Sequence, residues 1–218
     1  MQNSAADQKD PISLLVVACG LGTGGTERHL SLLLPRLLAR GIRPRVYALG
    51  DEGAMAQPIR DAGITIDFPL GNQPLVTKLP PPFRGLAVYA TEILRLRKII
   101  KQEKPDICHC FLPMATIIGG AAARLVGHPV VVASRRSLRN YQADNPTLAR
   151  VERRLIRRMK AVLGNSRAVN VQLAEEGVPE DRIGLIYNGV PVDAAKTEQD
   201  RLAVRRHLGI DDNALVLV

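Results

Sequence analysis

Short runs of aliphatic residues alternate along the chain with longer segments whose apolar residues recur every three or four positions. This alternation is typical of βαβ units, in which helices connect parallel strands and cover the sheet. Val, Ile, Leu and Ala supply most of the apolar residues, which suits a parallel sheet buried on both faces. The pattern predicts an α/β fold: a Rossmann-like, doubly wound parallel sheet of about seven strands with helices on both faces.

The aliphatic runs are short enough to be strands, and helical patterns separate them. We predict strands at residues 12–18, 45–49, 65–68, 106–109, 130–133, 161–163 and 183–186. Helices are expected to begin near Thr26, Met55, Gly85, Met114, Thr147, Arg167 and Asp200. Residues 69–83 contain five prolines and no periodic pattern, which predicts an exposed loop.

The chain of 218 residues is long enough for one large α/β domain and the beginning of a second. We predict a flexible N-terminus at residues 1–11 and a Rossmann-like domain at residues 12–193. Residues 194–218 are expected to form a linker and the start of a truncated C-terminal domain. The reason is that a charged helical segment there is followed by an apolar run, beginning at Leu215, that has no partner strand.

Charge and composition narrow the classes of partner. Lys and Arg outnumber Asp and Glu by 30 to 21, and the net charge of +9 favours anionic partners. Aromatic residues, on which bases would stack, make up only 3% of the chain, so we do not expect a nucleic acid partner. The odd number of three cysteines indicates a reducing compartment, and we predict a cytoplasmic protein whose membrane association, if any, is peripheral.

A glycine-rich turn lies between the first predicted strand and the first predicted helix. Glycines there allow backbone amides to approach an anion at the start of a helix. Gly20, Gly22 and Gly25 also have the GxGxxG spacing of dinucleotide-binding turns, so an NAD(P)-binding oxidoreductase domain is an alternative. The acidic residue that such a domain needs after its second strand comes late, at Asp51 or Glu52.

The turn and five later segments resemble glycosyltransferase family 4. Gly24 to Leu30, GGTERHL, is similar to the Gly-Gly-x-Glu-Arg turn of that family. Similar segments follow in order: KPDICH at 104–109, VVVASR at 130–135, VLGNS at 162–166, IGLIYNGV at 183–190, and residues 201–210 before a donor domain. The resemblance covers almost the whole chain and implies the N-terminal, acceptor-side half of a GT-B fold.

This resemblance implies a retaining hexosyltransferase that uses a nucleotide-sugar of the UDP or GDP type and needs neither a cofactor nor a metal. The acceptor would be a sugar or a lipid-linked sugar in cell-envelope or polysaccharide biosynthesis. Gly24, Gly25 and Thr26 would bind the donor phosphate. In the family the donor is held largely by the C-terminal domain, through two acidic residues eight positions apart. That spacing is absent among the glutamates here, so we expect this chain alone to be inactive.

Apart from Arg28, on the first predicted helix, the other predicted site residues end or follow strands, at the edge where open α/β sheets bind ligands. His109 is the candidate catalytic residue, with a structural core histidine as the alternative. The family often has a second histidine two residues later, where this chain has Phe111. The predicted acceptor-binding residues are Arg28, Arg135, Arg136, Arg139, Asn165 and Asn188. Cys108, His109 and Cys110 do not suggest a metal site, because neighbouring strand residues point to opposite faces.

Two further clusters of basic residues lie on predicted helices. They comprise Arg95, Arg97, Lys98 and Lys101, and then Arg150, Arg153, Arg154, Arg157, Arg158 and Lys160. A solvated helix face explains such clusters, and so does attraction to an anionic membrane surface at ~1 kcal/mol per residue. A non-catalytic, basic membrane-binding module is therefore a further alternative.

Overall fold

The computed structural model describes residues 11–69, 80–128, 130–189, 198–211 and 213–216, with the backbone alone at 81–83 and 198–200. The chain divides into two units, the first ending at Tyr187 and the second beginning at Asn188. The predicted flexible N-terminus falls almost wholly outside the described residues. So does the predicted boundary after residue 193.

The first unit is built on a parallel sheet. Its strands are β1 (Ser13–Ala18), β2 (Arg43–Ala48), β3 (Ile66–Asp67), β4 (Ile107–Phe111), β5 (Val131–Arg135), β6 (Ala161–Gly164) and β7 (Ile183–Leu185). All of the pairings are parallel, and the strand order is β3-β2-β1-β4-β5-β6-β7. This confirms the predicted Rossmann-like sheet.

Helices connect the strands. They are α1 (Gly25–Leu38), α2 (Ala56–Asp61), α3 (Pro81–Glu103), α4 (Pro113–Leu125), α5 (Tyr141–Asp144), α6 (Pro146–Ile156) and α7 (Arg167–Glu175). A 3-10 turn at Glu180–Arg182 precedes β7. In α1, Leu30 and Leu34 face the sheet and are fully buried, and Gly41 ends the segment with φ at +81°.

The sheet has a hydrophobic cluster on each side, because successive strand residues point in opposite directions. On one side Val16, Val46 and Phe111 pack with Leu30 and Leu34 of α1; we call this the α1 side. The other side is the α4 side. There Leu15, Val17, Cys108 and Cys110 of the strands pack with Leu96, Ile118 and Ile156 of α3, α4 and α6. Helices therefore cover both faces, as the sequence predicted.

Two glycines allow α4 to pack closely between the sheet and α6. A Cβ atom added to Gly119 would lie 2.5 Å from the Sγ atom of Cys110, and one added to Gly120 would lie 2.7 Å from the Cε atom of Met159. No side chain fits at these distances without displacing a core residue. The position of α4, and with it the end of β4, is therefore tightly constrained.

Strand bounds agree with the predicted ones to within two residues, and the helices show more differences. Helix α3 begins at Pro81 and not near Gly85, so the predicted loop at 69–83 ends earlier; residues 70–79 lie outside the described part. Proline favours the first turn of a helix, where its missing N–H costs nothing, which explains the earlier start. The short helix α5 was not predicted.

The second unit contains one described helix, α8 (Glu198–Leu208), followed by a turn. The guanidinium of Arg205 donates to the backbone oxygens of Asp211 and Ala214 and thereby closes that turn. Leu215 and Val216, the described residues of the strand predicted to begin at Leu215, are not in a strand. Among the described residues of both units, no helix is long and apolar enough to cross a membrane.

Candidate functional site

The strand order places the site at one point of the sheet. β1 lies beside β4, and their connections run in opposite directions, through α1 to β2 and through α4 to β5. A crevice opens outside the carboxyl ends of the strands at such a switch point. The start of α1, the end of β4 and the end of β5 therefore meet there.

The glycine turn provides the backbone amides at this edge. Gly24 is the N-cap of α1, and the amide of Arg28 donates to its carbonyl oxygen at 2.9 Å. Gly25 is exposed, and a Cβ atom added to it would meet nothing within 4 Å, whereas the side chain of Thr26 is buried. The first amides of a helix have no intrahelical partner and favour an anion. The turn thus offers main-chain donors and not the Thr26 hydroxyl.

His109 lies on the α1 side of β4. Its Nε2 atom is 2.8 Å from the Oγ atom of Ser134 on β5, and its ring centroid is 4.2 Å from that of Phe111. Burial lowers the pKa of His109 to about 3, and the charges of Arg136 and His29 contribute to the shift. The imidazole is therefore neutral at neutral pH, and one of its nitrogens is already engaged by Ser134.

His29, on α1, is a member of the site that the sequence analysis missed. Its ring centroid lies 6.4 Å from that of Phe111, and its side chain is partly buried. Burial lowers its pKa, and the charge of Arg136 lowers that pKa further. His29 follows Thr26 by three residues, so the helical period places both on the sheet-facing side of α1. That spacing is the signal that could have identified it.

The three arginines that follow β5 separate in the structure. Arg136 lies near both histidines, since its charge lowers the pKa of each. Arg135 points to the α4 side, where its terminal nitrogens lie 2.9 Å from Glu152 and 2.6 Å from Glu176. Arg139 is exposed and pairs with Glu175 at 2.6 Å.

The surroundings of Arg135 change its interpretation. Its side chain is only 3% exposed, the hydroxyl of Tyr141 donates to the same Glu152 carboxylate, and the guanidinium lies 5.9 Å from the Tyr141 ring. Burial alone would lower the pKa of Arg135, but the hydrogen bond to Glu176 and the nearby carboxylate charges outweigh it and raise that pKa above its usual value. Arg135 therefore holds the end of β5 against α6 and α7. We replace its predicted role as an acceptor ligand with this internal one.

The remaining predicted acceptor residues lie in different places. Arg28 is exposed on the first turn of α1. Asn165, after β6, donates from Nδ2 to the backbone oxygen of Arg136 at 3.2 Å, so it supports the loop that carries Arg136. Asn188 is exposed and is the first residue of the second unit.

Comparison with known proteins shows the family. The model of Glycosyltransferase Family 4 matches residues 23–194, which is most of the chain. The chain belongs to glycosyltransferase family 4. The match begins within the glycine turn, after β1, and runs through β2 to β7, including the ends of β4 and β5 at the site.

Individual relatives of this family 4 chain are distant in sequence. A UDP-N-acetylglucosamine–N-acetylmuramyl-(pentapeptide) pyrophosphoryl-undecaprenol N-acetylglucosamine transferase from Shewanella amazonensis is 28% identical over 155 residues, which is 69% of this chain and 41% of the relative. The crystal structure of Anabaena Alr3699/HepE in complex with UDP superposes with a TM-score of 0.67 at 18% identity, covering 91% of this chain and 50% of that one. The crystal structure of a glycosyltransferase from Rickettsia africae superposes with a TM-score of 0.63 at 18% identity, covering 94% of this chain and 51% of that one. The chain thus spans about half the length of the relatives it matches.

The family 4 chain differs locally from a dinucleotide-binding turn. The loop after β2 packs against the glycine turn, and a Cβ atom added to Gly53 would lie 2.5 Å from the carbonyl oxygen of Leu21 and 2.6 Å from the Cα atom of Gly22. Glu52, a candidate ligand for a dinucleotide ribose, is ion-paired with Arg60. The loop therefore lies in close contact with Gly22, and the carboxylate of Glu52 is already paired, which argues against the oxidoreductase alternative.

One residue at the site has an unusual backbone. Leu112, between β4 and α4, has φ at 73° and ψ at 161°, a region that residues other than glycine rarely adopt. Its amide donates to the carbonyl oxygen of Ser134 at 3.1 Å, and its own carbonyl accepts from the amide of Thr116 at 2.9 Å. These bonds hold a sharp turn that begins α4 directly at the sheet edge.

Proposed function

We propose that this chain is the acceptor-binding part of a retaining glycosyltransferase that moves a hexosyl group from a UDP-sugar to an acceptor. The observation that carries the proposal is the meeting of two groups at the switch point. The start of α1 at Gly24 and Gly25, which is open at Gly25, lies at the same sheet edge as His109 and Ser134, and Arg136 follows β5 there. Main-chain donors for a phosphate thus lie beside side chains that can orient a hydroxyl.

In the proposed reaction the bond between the anomeric carbon and the leaving phosphate oxygen breaks. A bond forms between the anomeric carbon and the acceptor oxygen on the same face of the sugar, and the acceptor proton passes to the leaving phosphate. The amides of Gly24 and Gly25 stabilise charge that develops on that phosphate. His109, neutral and hydrogen-bonded to Ser134, is suited to hold the sugar or the acceptor hydroxyl and not to carry charge.

The named relatives support the choice of substrates. The Shewanella relative is a transferase that acts on a lipid-linked pyrophosphoryl acceptor, and HepE was crystallised with UDP and with UDP-glucose. By analogy we propose a UDP-sugar donor and a sugar or lipid-linked acceptor from cell-envelope or polysaccharide synthesis. Since the chain spans about half of these relatives, we propose that a second domain supplies most of the donor contacts.

We also propose that the protein is cytoplasmic and attaches peripherally to the inner face of a membrane. Helices α3 and α6 both pack on α4, on one side of the sheet. Arg150, Arg154 and Arg158 of the α6 segment are exposed, and α3 exposes Leu86 at 70% and Leu94 at 59%. Arg95 is excluded from this surface because it pairs with the buried Glu92. The exposed arginines would attract anionic lipid headgroups, and the exposed leucines would insert into the apolar part of the bilayer.

The proposal is tested by assaying UDP release and sugar transfer with a panel of UDP- and GDP-sugars. The assay uses this chain and a longer chain that continues past Val218. We expect turnover from the longer chain and little from this one, because most donor contacts would be missing. Equal turnover by the two chains would contradict the proposal that a second domain supplies most of the donor contacts. Binding of NAD or NADP, with no response to any nucleotide-sugar, would favour the oxidoreductase alternative.

A further inference from the structure

A cavity of about 220 Å³ lies at the amino ends of the strands, on the edge of the sheet opposite the candidate site. It opens between the last turn of α4 and the end of α6. Its apolar wall consists of Val131, the first residue of β5, together with Leu155 and Met159. A strand rises by about 3.3 Å per residue, so Val131 lies about 13 Å from Arg135 at the other end of β5. The cavity is therefore separate from the candidate site.

Two arginines from different helical segments line this cavity. Arg124 belongs to the last turn of α4 and Arg158 follows α6, and both are exposed. Neither arginine forms an ion pair with any residue that the structure describes. The Nη1 atom of Arg158 donates to the carbonyl oxygen of Arg154 at 3.3 Å. A guanidinium has five N–H donors, so most of those at the cavity remain available to a ligand.

The charge of the lining is purely positive. Three other cavities along the amino edge each include a carboxylate, from Glu103, Asp106 or Asp181. Between α4 and α6, by contrast, no carboxylate is among the described residues that line the cavity. The charges of Arg124 and Arg158 are thus not balanced within the cavity, and they favour an anion there.

His128 also lines the cavity, but its ring is engaged elsewhere. The Nδ1 atom accepts from the amide of Val130 at 3.3 Å, so the proton of the neutral ring is on Nε2, which donates to the carbonyl oxygen of Pro105 at 2.6 Å. His128 therefore fixes the loop between α4 and β5 and offers no donor to a ligand. Arg124 and Arg158 are the side chains of the described lining that can donate to one.

We infer that Arg124 and Arg158 bind a phosphate monoester in this cavity, either a small soluble molecule or the headgroup of a lipid. A monoester carries nearly two negative charges at neutral pH and has three acceptor oxygens, which match two guanidinium groups. A carboxylate has one charge and two oxygens, which a single guanidinium can satisfy. The apolar wall would contact the carbon atoms next to the phosphate.

The size of the cavity narrows the ligand further. Sites for drug-sized ligands have volumes of roughly 300–1,000 Å³, and this cavity is smaller. It therefore suits a group such as glycerol phosphate and not a second nucleotide-sugar. The inference does not depend on glycosyl transfer, because the cavity and the candidate site lie at opposite edges of the sheet. If the ligand is a lipid, the amino edge of the first unit would lie at the membrane surface.

Arginines at the ends of helices have a simpler explanation, which is that they stabilise the helix dipole. Arg158 fits it in part, because it bonds to the carbonyl oxygen of Arg154. Arg124 fits it less well. Its own carbonyl oxygen already accepts from the amide of Gly127 at 3.1 Å, and its guanidinium makes no hydrogen bond to the described end of α4. If dipole stabilisation were the whole role, neither arginine would affect the binding of a phosphate.

The test uses the methyl group of Met159, which lies in the wall of the cavity, as an NMR reporter. The chain has four methionines, so a protein labelled with ¹³C at the methionine methyl groups gives a simple spectrum, and Met159→Leu assigns the signal. Met114 begins α4 at the carboxyl edge of the sheet and reports on binding at the candidate site. The chain is titrated with glycerol 3-phosphate at low ionic strength and about pH 7.5, where the monoester is almost fully charged.

We expect a saturable shift of the Met159 signal that is independent of any change at Met114. Arg124→Gln and Arg158→Gln should each weaken this binding by about tenfold, because each removes charge-assisted hydrogen bonds. Arg150→Gln is the matched control. It removes the same charge from an exposed position two turns before Arg158, outside the cavity, and should leave the affinity unchanged. Dimethyl phosphate and acetate, with one charge each, should bind about tenfold more weakly or less.

A short-chain phosphatidic acid, used below its micelle concentration, distinguishes the two sources of the phosphate. Binding about tenfold tighter than that of glycerol 3-phosphate would assign the site to a lipid headgroup, and equal binding would assign it to a soluble monoester. An unchanged Met159 signal with both monoesters would overturn the inference. So would a shift that survives in both Arg124→Gln and Arg158→Gln, or one that Arg150→Gln weakens equally. Equal affinity for acetate would refute the assignment of the ligand as a phosphate.

Discussion

The Nε2 atom of His109 lies 2.8 Å from the Oγ atom of Ser134, so the two residues link β4 to β5 through their side chains as well as through the sheet. The bond lies on the side of the sheet that faces α1, next to Phe111. It orients the imidazole, and burial there keeps the ring neutral. Folding is therefore coupled to the protonation of His109.

Stability should fall as the pH falls below the ordinary pKa of histidine, about 6.5. The pKa of folded His109 is lowered to about 3, so between these values the unfolded chain binds the extra proton. The contribution of His109 is complete above about pH 6.5, and on the order of 1–2 kcal/mol is lost between pH 7 and 5. Urea unfolding at several pH values measures this, with His109→Gln as the comparison. The carboxylates titrate alike in the unmodified protein and in His109→Gln. If the free energy of unfolding depended on pH in the same way in both, the prediction would be wrong.

Replacing Gly25 with leucine should abolish use of the donor without unfolding the chain. An added Cβ atom at Gly25 meets nothing within 4 Å, so the protein accepts the side chain, but the phosphate approach to the helix amides is blocked. In a chain that continues past Val218 we expect transfer to fall by about 100-fold or more. Gly85→Leu is the matched control, because that glycine is also exposed and open but lies on α3. Normal turnover by Gly25→Leu would remove the glycine turn from the site.

Arg135 and Arg139 should differ sharply in their effect on stability. Arg135→Met leaves Glu152 and Glu176 buried without their partner, which costs about 3–5 kcal/mol. Arg139→Met removes a pair whose side chains are 46% and 49% exposed, which costs at most about 1 kcal/mol. Chemical denaturation of both variants at neutral pH tests this. Similar losses of stability in the two variants would show that the ion pairs of Arg135 do not hold the end of β5 against α6 and α7.

Membrane attachment should depend on the position of the arginines and not on net charge alone. Arg150→Glu with Arg154→Glu should weaken binding to phosphatidylglycerol vesicles by about tenfold or more, at ~1 kcal/mol per exposed arginine. Arg36→Glu, in the last turn of α1, with Arg40→Glu, in the turn just after it, makes the same change in charge at the same sequence spacing and should weaken binding much less. Sedimentation at low and high salt measures both, since salt screens exposed charges. Equal binding by the two double variants would refute a membrane-facing side.

The sheet could be predicted almost completely because parallel strands buried on both faces contain continuous aliphatic runs, such as Leu14 to Ala18 in β1 and Val131 to Ala133 in β5. The start of α3 was misplaced because consecutive prolines were interpreted as a loop, although proline is also favoured in a first helical turn. The main-chain part of the site, at Gly24 and Gly25, followed from its position between a strand and a helix.

The side chains of the site were less predictable, because sequence spacing does not show which way a strand end turns. Arg135 and Arg136 are adjacent, yet one enters a buried ion-pair network and the other joins the histidines. Glu152 and Glu176, which hold Arg135, are 17 and 41 residues away. His29 was missed for a related reason. Its partners come from β4 and β5, and no local pattern shows that they converge.

Both outer strands of the sheet are very short, with two residues in β3 and three in β7. An outer strand exposes unpaired backbone groups that can recruit a strand from another molecule, and the hazard grows with its length. Strands this short offer little template for such recruitment. We therefore expect the first unit to resist intermolecular strand exchange and to remain free of fibrillar aggregates at the concentrations that the titrations require.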